Sequence, residues 1–348
     1  DDSLVSGLHL GVGIAILSAV VAALAWALEE ETAAGATEDA GDAGEVPAEA
    51  PGEPAPAGDG GGPLATVGAY LRLTKPRLMW LLCLVAAAGM ALAAGPALSV
   101  RTVVFTLGGG VLAIGASGTF NHVLERDRDR EMARTADRPL ATDRVPPRNA
   151  VAFGVALALA ALVAFLQVNV LAAALGIAAV LYYSVVYTLL LKPNTVQNTV
   201  VGGLAGALPA LIGWAAVTGT VGLPGLALAV VVFLWTPAHF YNLALAYRED
   251  YERGGFPMLP VVRGAAVTRK HILLYLGATM VAAAALAALG GLGPLYAGTT
   301  ALFGAAFLWA VVRLHRERTR RAALRSFHAS NAYLGALLVA VVLDALAL

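Results

Sequence analysis

The sequence predicts an all-α integral membrane protein: a bundle of nine transmembrane helices preceded by one extra N-terminal transmembrane helix. Three observations predict it. The 348 residues are 59% apolar and 13% charged, with a mean hydropathy of +0.74, whereas a soluble domain is about half apolar and a quarter charged. Apolar stretches of about 20 residues, enough to cross a bilayer as helix, recur along the chain. The basic residues between them are confined to alternate loops. Such stretches have to be helical, because backbone groups in hydrocarbon must pair within their own segment.

The first candidate span is 1–28, apolar from Val5 to Leu28. Residues 29–63, "EEETAAGATEDAGDAGEVPAEAPGEPAPAGDGGGP", hold no aromatic residue and almost no large aliphatic one. They read as an acidic Pro/Gly/Ala linker that buries too little to order itself. Residues 64–348 form the main domain, with spans near 77–95, 100–121, 148–166, 168–190, 198–218, 222–246, 271–290, 294–312 and 328–348. Of the 23 basic residues, only Arg101 falls on one side of this pattern. The positive-inside rule therefore places the charged loops in the cytoplasm, in a multi-pass protein of the cell membrane. Runs such as "TLGGGVLAIGASG" and "VVGGLAGALPALIG" let helices approach closely. Net charge is zero, and the expected partner surface is the lipid bilayer, with no nucleic acid. The one cysteine, Cys83, excludes an internal disulfide and a cysteine metal cluster.

The chemistry concentrates where the second of the nine spans ends, in "GTFNHVLERDRDREMARTADRPL" (118–140). Ten charges lie between Glu125 and Arg138, so the segment must leave the hydrocarbon or line a wet cavity. Asn121, Glu125 and Asp129 recur every fourth residue and share one helical stripe, with Asp127 on another face. Hard oxygen donors in a row suit Mg2+, which is held by one or two carboxylates plus phosphate oxygens. Arg126, Arg134 and Arg138 supply planar forks that match phosphate. A second charged mouth closes the sixth span, "FLWTPAHFYNLALAYREDYERGGFPMLPVV". There His239, Asn242 and Asp250 lie near one face, Arg248 sits beside Asp250, and Pro237 is expected to kink the helix. Lys192 follows Tyr187 on an intervening turn. Two acidic helix ends on one side suggest a two-metal diphosphate site assembled from two half-bundles.

These residues resemble the UbiA-type intramembrane prenyltransferases, most closely their haem-directed branch, the protohaem IX farnesyltransferases. The resemblance covers about 65–348. It runs through "LTKPRLMWL" (73–81), "N…E.DRD..MART..RPL" (121–140), "YT..LK..T..N.VVGG.AGA.P.LIGW" (187–214), "LWTPAHF" (234–240) and "DY…G.PMLPVV.G" (250–264). The family's first motif, Asn-x3-Asp-x3-Asp, lands on Asn121, Glu125 and Asp129, with Glu in the middle place, and Asp127 also belongs to its pattern. The second lands on Asp250, flanked by Tyr247 and Tyr251. Pro193 stands where the family carries Arg, leaving that role to Lys192.

The resemblance implies a nine-helix bundle with a central cavity and a cytoplasmic cap. It implies joining of farnesyl diphosphate to a vinyl group of protohaem IX, with water, to give haem O and diphosphate. Catalytic and metal-binding residues would be Asn121, Glu125, Asp127, Asp129 and Asp250. Lys75, Arg126, Arg134, Arg138, Lys192 and Arg248 would hold diphosphate, and His239, Phe240, Tyr187, Trp214 and Tyr247 would line the haem and prenyl pocket. His239 reads either as a hydrogen-bonded packing residue or as a contact to haem iron or a propionate. His122 reads as a solvated residue or a contact to metal or haem, and a haem-ligand role is open to His9 on the extra helix. The extra helix is expected to be the tail of a fused haem A synthase. Two other readings stay open: a prenyltransferase acting on a quinone precursor, and a transporter of anionic lipid, for which the nearly uncharged far side is unsuited.

Overall fold

A computed structural model describes residues 62–347; the expected span within 1–28, including His9, and the linker up to residue 61 lie outside the described residues. The helices are α1 (Pro63–Leu73), α2 (Pro76–Ala94), α3 (Val100–Leu124), α4 (Arg126–Glu131), α5 (Pro147–Leu166), α6 (Val170–Leu181, continued by a π-helix over Tyr182–Leu191), α7 (Asn198–Gly202), α8 (Leu204–Thr218), α9 (Leu223–Ala246), α10 (Arg248–Arg253), α11 (Leu259–Val262), α12 (Gly264–Gly290), α13 (Pro294–Glu317) and α14 (Arg320–Ala347). Among the described residues, nine helices are long and apolar enough to cross a membrane. The chain is a multi-pass membrane protein.

The last three spans run further into the charged side than hydropathy indicates, starting at Gly264 rather than 271, ending at Glu317 rather than 312, and starting again at Arg320 rather than 328. Helical hydrogen bonding does not stop where charge begins, so apolar periodicity marks the hydrocarbon and not the helix end. The break between α13 and α14 takes only Arg318 and Thr319, with Arg318 in the left-handed conformation. α9 passes through Pro237 without interruption.

Packing within the bundle has two main cores, with two smaller clusters on the charged side, around Leu73 and Leu140 and around Tyr251 and Phe256. One joins α9, α12, α13 and α14 with part of α2. The other joins α3, α5, α6 and α8 through Ala113, Ala116, Ala161, Phe165, Ala173 and Val180. α2 and α8 bridge them at very close range. A Cβ at Gly213 would lie 2.1 Å from the Ala86 carbonyl oxygen, and one at Gly89 2.4 Å from that of Ala210, so only glycine permits this approach. On the far side from the charges, Asp344 of α14 accepts the Gly293 and Tyr296 amides at 2.8 and 3.0 Å, satisfying donors exposed at the start of α13. Trp80, Leu159, Val281 and Trp309 are exposed on the outside of the spans, where lipid takes the place of water.

Candidate active site

Each polar side chain of the site is aimed by a local break in regular helix. The first is the α1–α2 corner. A residue before proline is disfavoured in right-handed helix, and Lys75, before Pro76, takes the left-handed conformation at φ 55° and ψ 57°. This turns its ammonium to the Asn121 side-chain oxygen of α3. Gly118 makes the approach possible, since a Cβ there would lie 2.9 Å from the Leu73 carbonyl oxygen.

The second break is at Glu125, where α3 gives way to α4. The helical turn carries across it: the Glu125 amide donates to Asn121 O at 2.9 Å and the Asp129 amide to Glu125 O at 2.8 Å. The stripe Asn121–Glu125–Asp129 is thereby preserved, and all three residues are buried. The third break is the π-helix, in which the Lys192 amide donates to Tyr187 O at 2.8 Å. Its wider turn, of a kind found at functional sites, faces Thr188 and Lys192 toward α3. Asn121 Nδ2 donates to Thr188 Oγ1 at 3.2 Å, and Lys192 Nζ lies 2.5 Å from Glu125 Oε1.

The segment 132–146 closes over these groups. Arg138 grips both oxygens of Asp129, at 2.7 and 2.8 Å, and reaches Glu125 at 3.7 Å. Four residues earlier, the Arg134 amide donates to Asp250 Oδ2 at 3.2 Å, and its guanidinium lies over the rings of Tyr247 and Tyr251 at 5.6 and 5.7 Å. Asp250 also pairs with Arg253. One loop is thus held by acids from both mouths.

The result is an alternating set of charges in which Glu125, Asp129 and Lys192 are buried and Lys75 and Arg138 half-buried. Burial pushes the Glu125 carboxyl up, but Lys192, Lys75 and Arg138 outweigh it and hold the group below its ordinary range. Burial keeps the Asp129 carboxyl above its ordinary value despite Arg138. Desolvation pushes Lys192 down and, with Arg138 nearby, pushes Lys75 down to about 7. Removing one partner of such a buried pair costs about 3–5 kcal/mol, because it strands the other charge.

Behind the charges lies a cavity of about 890 Å³, within the range of small-molecule sites. Lys75, Asn121, Glu125, Arg134, Arg138 and Lys192 line its mouth, with Arg72 and Arg77 alongside them. Its interior is apolar, walled by Leu82, Ala86, Ile114, Val180 and Ile212 among others. On the α9–α14 side the wall is aromatic. His239 is stacked between Trp235, with centroids 4.2 Å apart, and Phe327, at 4.4 Å. Ser330 Oγ lies 2.6 Å from Phe327 O and 2.7 Å from His239 Nδ1. Ser330 thus occupies Nδ1 and leaves Nε2 as the ring nitrogen free of a protein hydrogen bond among the described residues.

The profile described as the UbiA prenyltransferase family matches residues 81–335. The chain belongs to the UbiA prenyltransferase family. The relative named protoheme IX farnesyltransferase in Halobacterium salinarum is 64% identical over 346 residues, covering 97% of this chain and 76% of its own length. Protoheme IX farnesyltransferase 1 of Natronomonas pharaonis is 66% identical over 354 residues, covering 99% and 76%. Among solved structures, a digeranylgeranylglyceryl phosphate synthase superposes with a TM-score of 0.67 at 16% identity, covering 82% of this chain and all of its own. A UbiA homologue from Archaeoglobus fulgidus, bound to DMAPP and Mg2+, does so at 0.58 and 18%, covering 78% and 98%. At these identities the likeness is one of fold.

Within the UbiA fold, the residues expected from the sequence fall into three groups. Lys75, Asn121, Glu125, Arg134, Arg138, Tyr187, Lys192, His239 and Phe240 line the cavity. Asp129, Asp250 and Tyr247 stand just behind, holding the loop that carries Arg134 and Arg138. The remaining four are set apart. Arg126 turns to Asp143 at 2.5 Å and to Leu140 O. Asp127 is 90% exposed and faces Arg130. Arg248 is exposed at the start of α10. Trp214 fits against Gly222 and Gly225 near the opposite end of α8. Asn242 is fully buried, donating to Ala238 O at 2.6 Å. His122 is buried and lines the cavity, its Nδ1 without a partner.

Sequence reasoning gave no role to Thr188, which stands in the "YT..LK" motif, to Ser330 on the last span, or to Phe327 just before it. It also passed over Phe256, whose ring lies 4.5 Å from the Lys192 ammonium and 4.9 Å from the Arg128 guanidinium.

Proposed function

We propose that this protein transfers the farnesyl group of farnesyl diphosphate to a vinyl group of protohaem IX, giving haem O and diphosphate. The observation that carries this reading is the shape of one cavity: a mouth of paired cations and acids, an apolar interior, and an aromatic wall that holds an imidazole. The names of the haloarchaeal relatives support it. We place the charged mouth in the cytoplasm and the protein in the cell membrane, from the loop charges.

Lys75, Arg138 and Lys192 take the diphosphate oxygens, Arg134 covers them, and the prenyl chain enters the apolar interior. The allylic carbon–oxygen bond breaks, with its electron pair leaving on diphosphate. The vinyl π pair forms the new carbon–carbon bond. Water bonds to the haem-side cation and gives up a proton. The dry interior keeps water from the allylic cation. No covalent nucleophile is needed, in keeping with Cys83 lying among apolar wall residues. His239, fixed by Ser330 and its two ring neighbours, offers Nε2 to the haem iron, a usual axial ligand.

Among the described residues, no three acidic, His or Cys side chains group closely enough to hold a metal by themselves. That suits Mg2+, which keeps only one or two protein carboxylates and takes phosphate oxygens for the rest. Asn121 and Glu125 would hold it from inside the cavity, with Asp129 and Asp250 behind. When bound it neutralises charge on the leaving diphosphate.

We assign catalysis to residues 64–348. The main test incubates the bilayer-embedded protein with haem B, farnesyl diphosphate and Mg2+ and seeks haem O by mass. Haem O is expected from the unmodified protein and not from Glu125→Gln. A prenylated quinone precursor with haem untouched would overturn the assignment.

A further inference from the structure

We propose that Phe165 sets the length of prenyl chain the cavity admits; this rests on the prenyl-transfer reading above. The cavity face of α3 runs from Asn121 at the charged mouth to Thr106 at the other end, about 22 Å at 1.5 Å per residue. Phe165, the last residue but one of α5, lines that far end and is 1% exposed.

Its ring is clamped on two sides. A Cβ on Gly176 of α6 would lie 2.4 Å from the ring, and one on Gly109 of α3 would lie 3.0 Å from it. Both helices have given up a side chain to seat it, so the ring cannot swing aside for a longer ligand. Ala113, Val180 and Ile212 complete an apolar end with it. A chain anchored by its diphosphate at Lys75, Arg138 and Lys192 reaches this end tail first, and Phe165 forms the floor.

Gly110 provides the converse probe. It belongs to the cavity-facing stripe of α3, and nothing lies within 4 Å of where its Cβ would be. A side chain there takes up cavity space without striking a neighbour.

The test measures binding of unreactive thiodiphosphate analogues of geranyl, farnesyl and geranylgeranyl diphosphate to the full chain in lipid nanodiscs, alongside haem product masses. Phe165→Ala should raise affinity for the geranylgeranyl analogue relative to farnesyl by about tenfold or more, the scale on which apolar pockets discriminate length. Gly110→Leu should move preference toward geranyl by a similar factor. Should Phe165→Ala fail to fold, because it empties a packed site, Phe165→Leu and Gly110→Leu decide the matter. Unchanged preference in both overturns the assignment. Length-selective binding without haem product would instead sink the proposed function and leave the floor in place.

Discussion

The two charged mouths are built to the same local plan and do different work. Each is a membrane helix, a single non-helical residue, and a six-residue charged helix: Glu125 with α4, and Tyr247 with α10. Counted from those junctions, Asn121, Glu125 and Asp129 of the first correspond to Leu243, Tyr247 and Tyr251 of the second. The first mouth presents oxygen donors along its stripe, and the second presents an aliphatic and two aromatic side chains. Asp250 stands one residue off that stripe and faces the loop carrying Arg134. An acidic helix end is thus no more than a place to put a charge. The register against the cavity decides whether the charge meets a ligand or fastens a lid. In the structure Asn121 and Glu125 of the first stripe line the cavity, while Asp250 of the second mouth holds the loop that carries Arg134.

The largest effect is expected inside the cavity. Glu125→Gln and Lys192→Met should each lower the rate of haem O formation at saturating substrates by about 10³-fold, roughly 4 kcal/mol of transition-state stabilisation. Near-normal turnover in either would break the comparison at its first term. Asp129→Asn comes next, at about 10²-fold, because it frees Arg138 rather than removing a group that touches substrate. Measured together with Arg138→Gln in a double-mutant cycle, it should show strong coupling, and additivity would separate the two residues.

Asp250→Ala should behave differently. Loosening the latch should raise KM for farnesyl diphosphate about tenfold, with kcat within about threefold, since positioning and not chemistry is lost. A collapse of kcat equal to that of Glu125→Gln would make the two mouths equivalent after all. Smallest are Arg126→Ala and Asp127→Ala, expected within about twofold in steady-state kinetics, because both side chains lie outside the cavity. Surface pairs such as theirs are worth about 1 kcal/mol or less.

The fold was legible because hydrocarbon imposes a coarse rule on sequence. Apolar runs of fixed length and one-sided basic loops fix nine spans, and the structure moves only their charged ends. The first mouth was legible for a second reason: a stripe of Asn121, Glu125 and Asp129 survives the junction at Glu125 because the turn there keeps helical hydrogen bonds. What escaped depends on backbone that propensity does not show. Nothing in "LTKPR" says that Lys75 turns left-handed toward α3. Nothing in "YYSVVYTLLLK" announces a π-helix that brings Thr188 and Lys192 to the same place. Arg126 and Arg248 share the charged segments with the cavity residues but turn to other partners or to the surface, Asp127 lies on the other face its spacing gives it, and Trp214 sits further along α8, against Gly222 and Gly225.

The most direct measurement is binding of inorganic diphosphate to the bilayer-embedded protein with and without Mg2+, comparing the unmodified chain with Glu125→Gln and Arg138→Gln. A single gripping site predicts tight, Mg2+-dependent binding that both substitutions weaken at least tenfold. Diphosphate binding that ignores Mg2+, or that both variants retain at full strength, would contradict it.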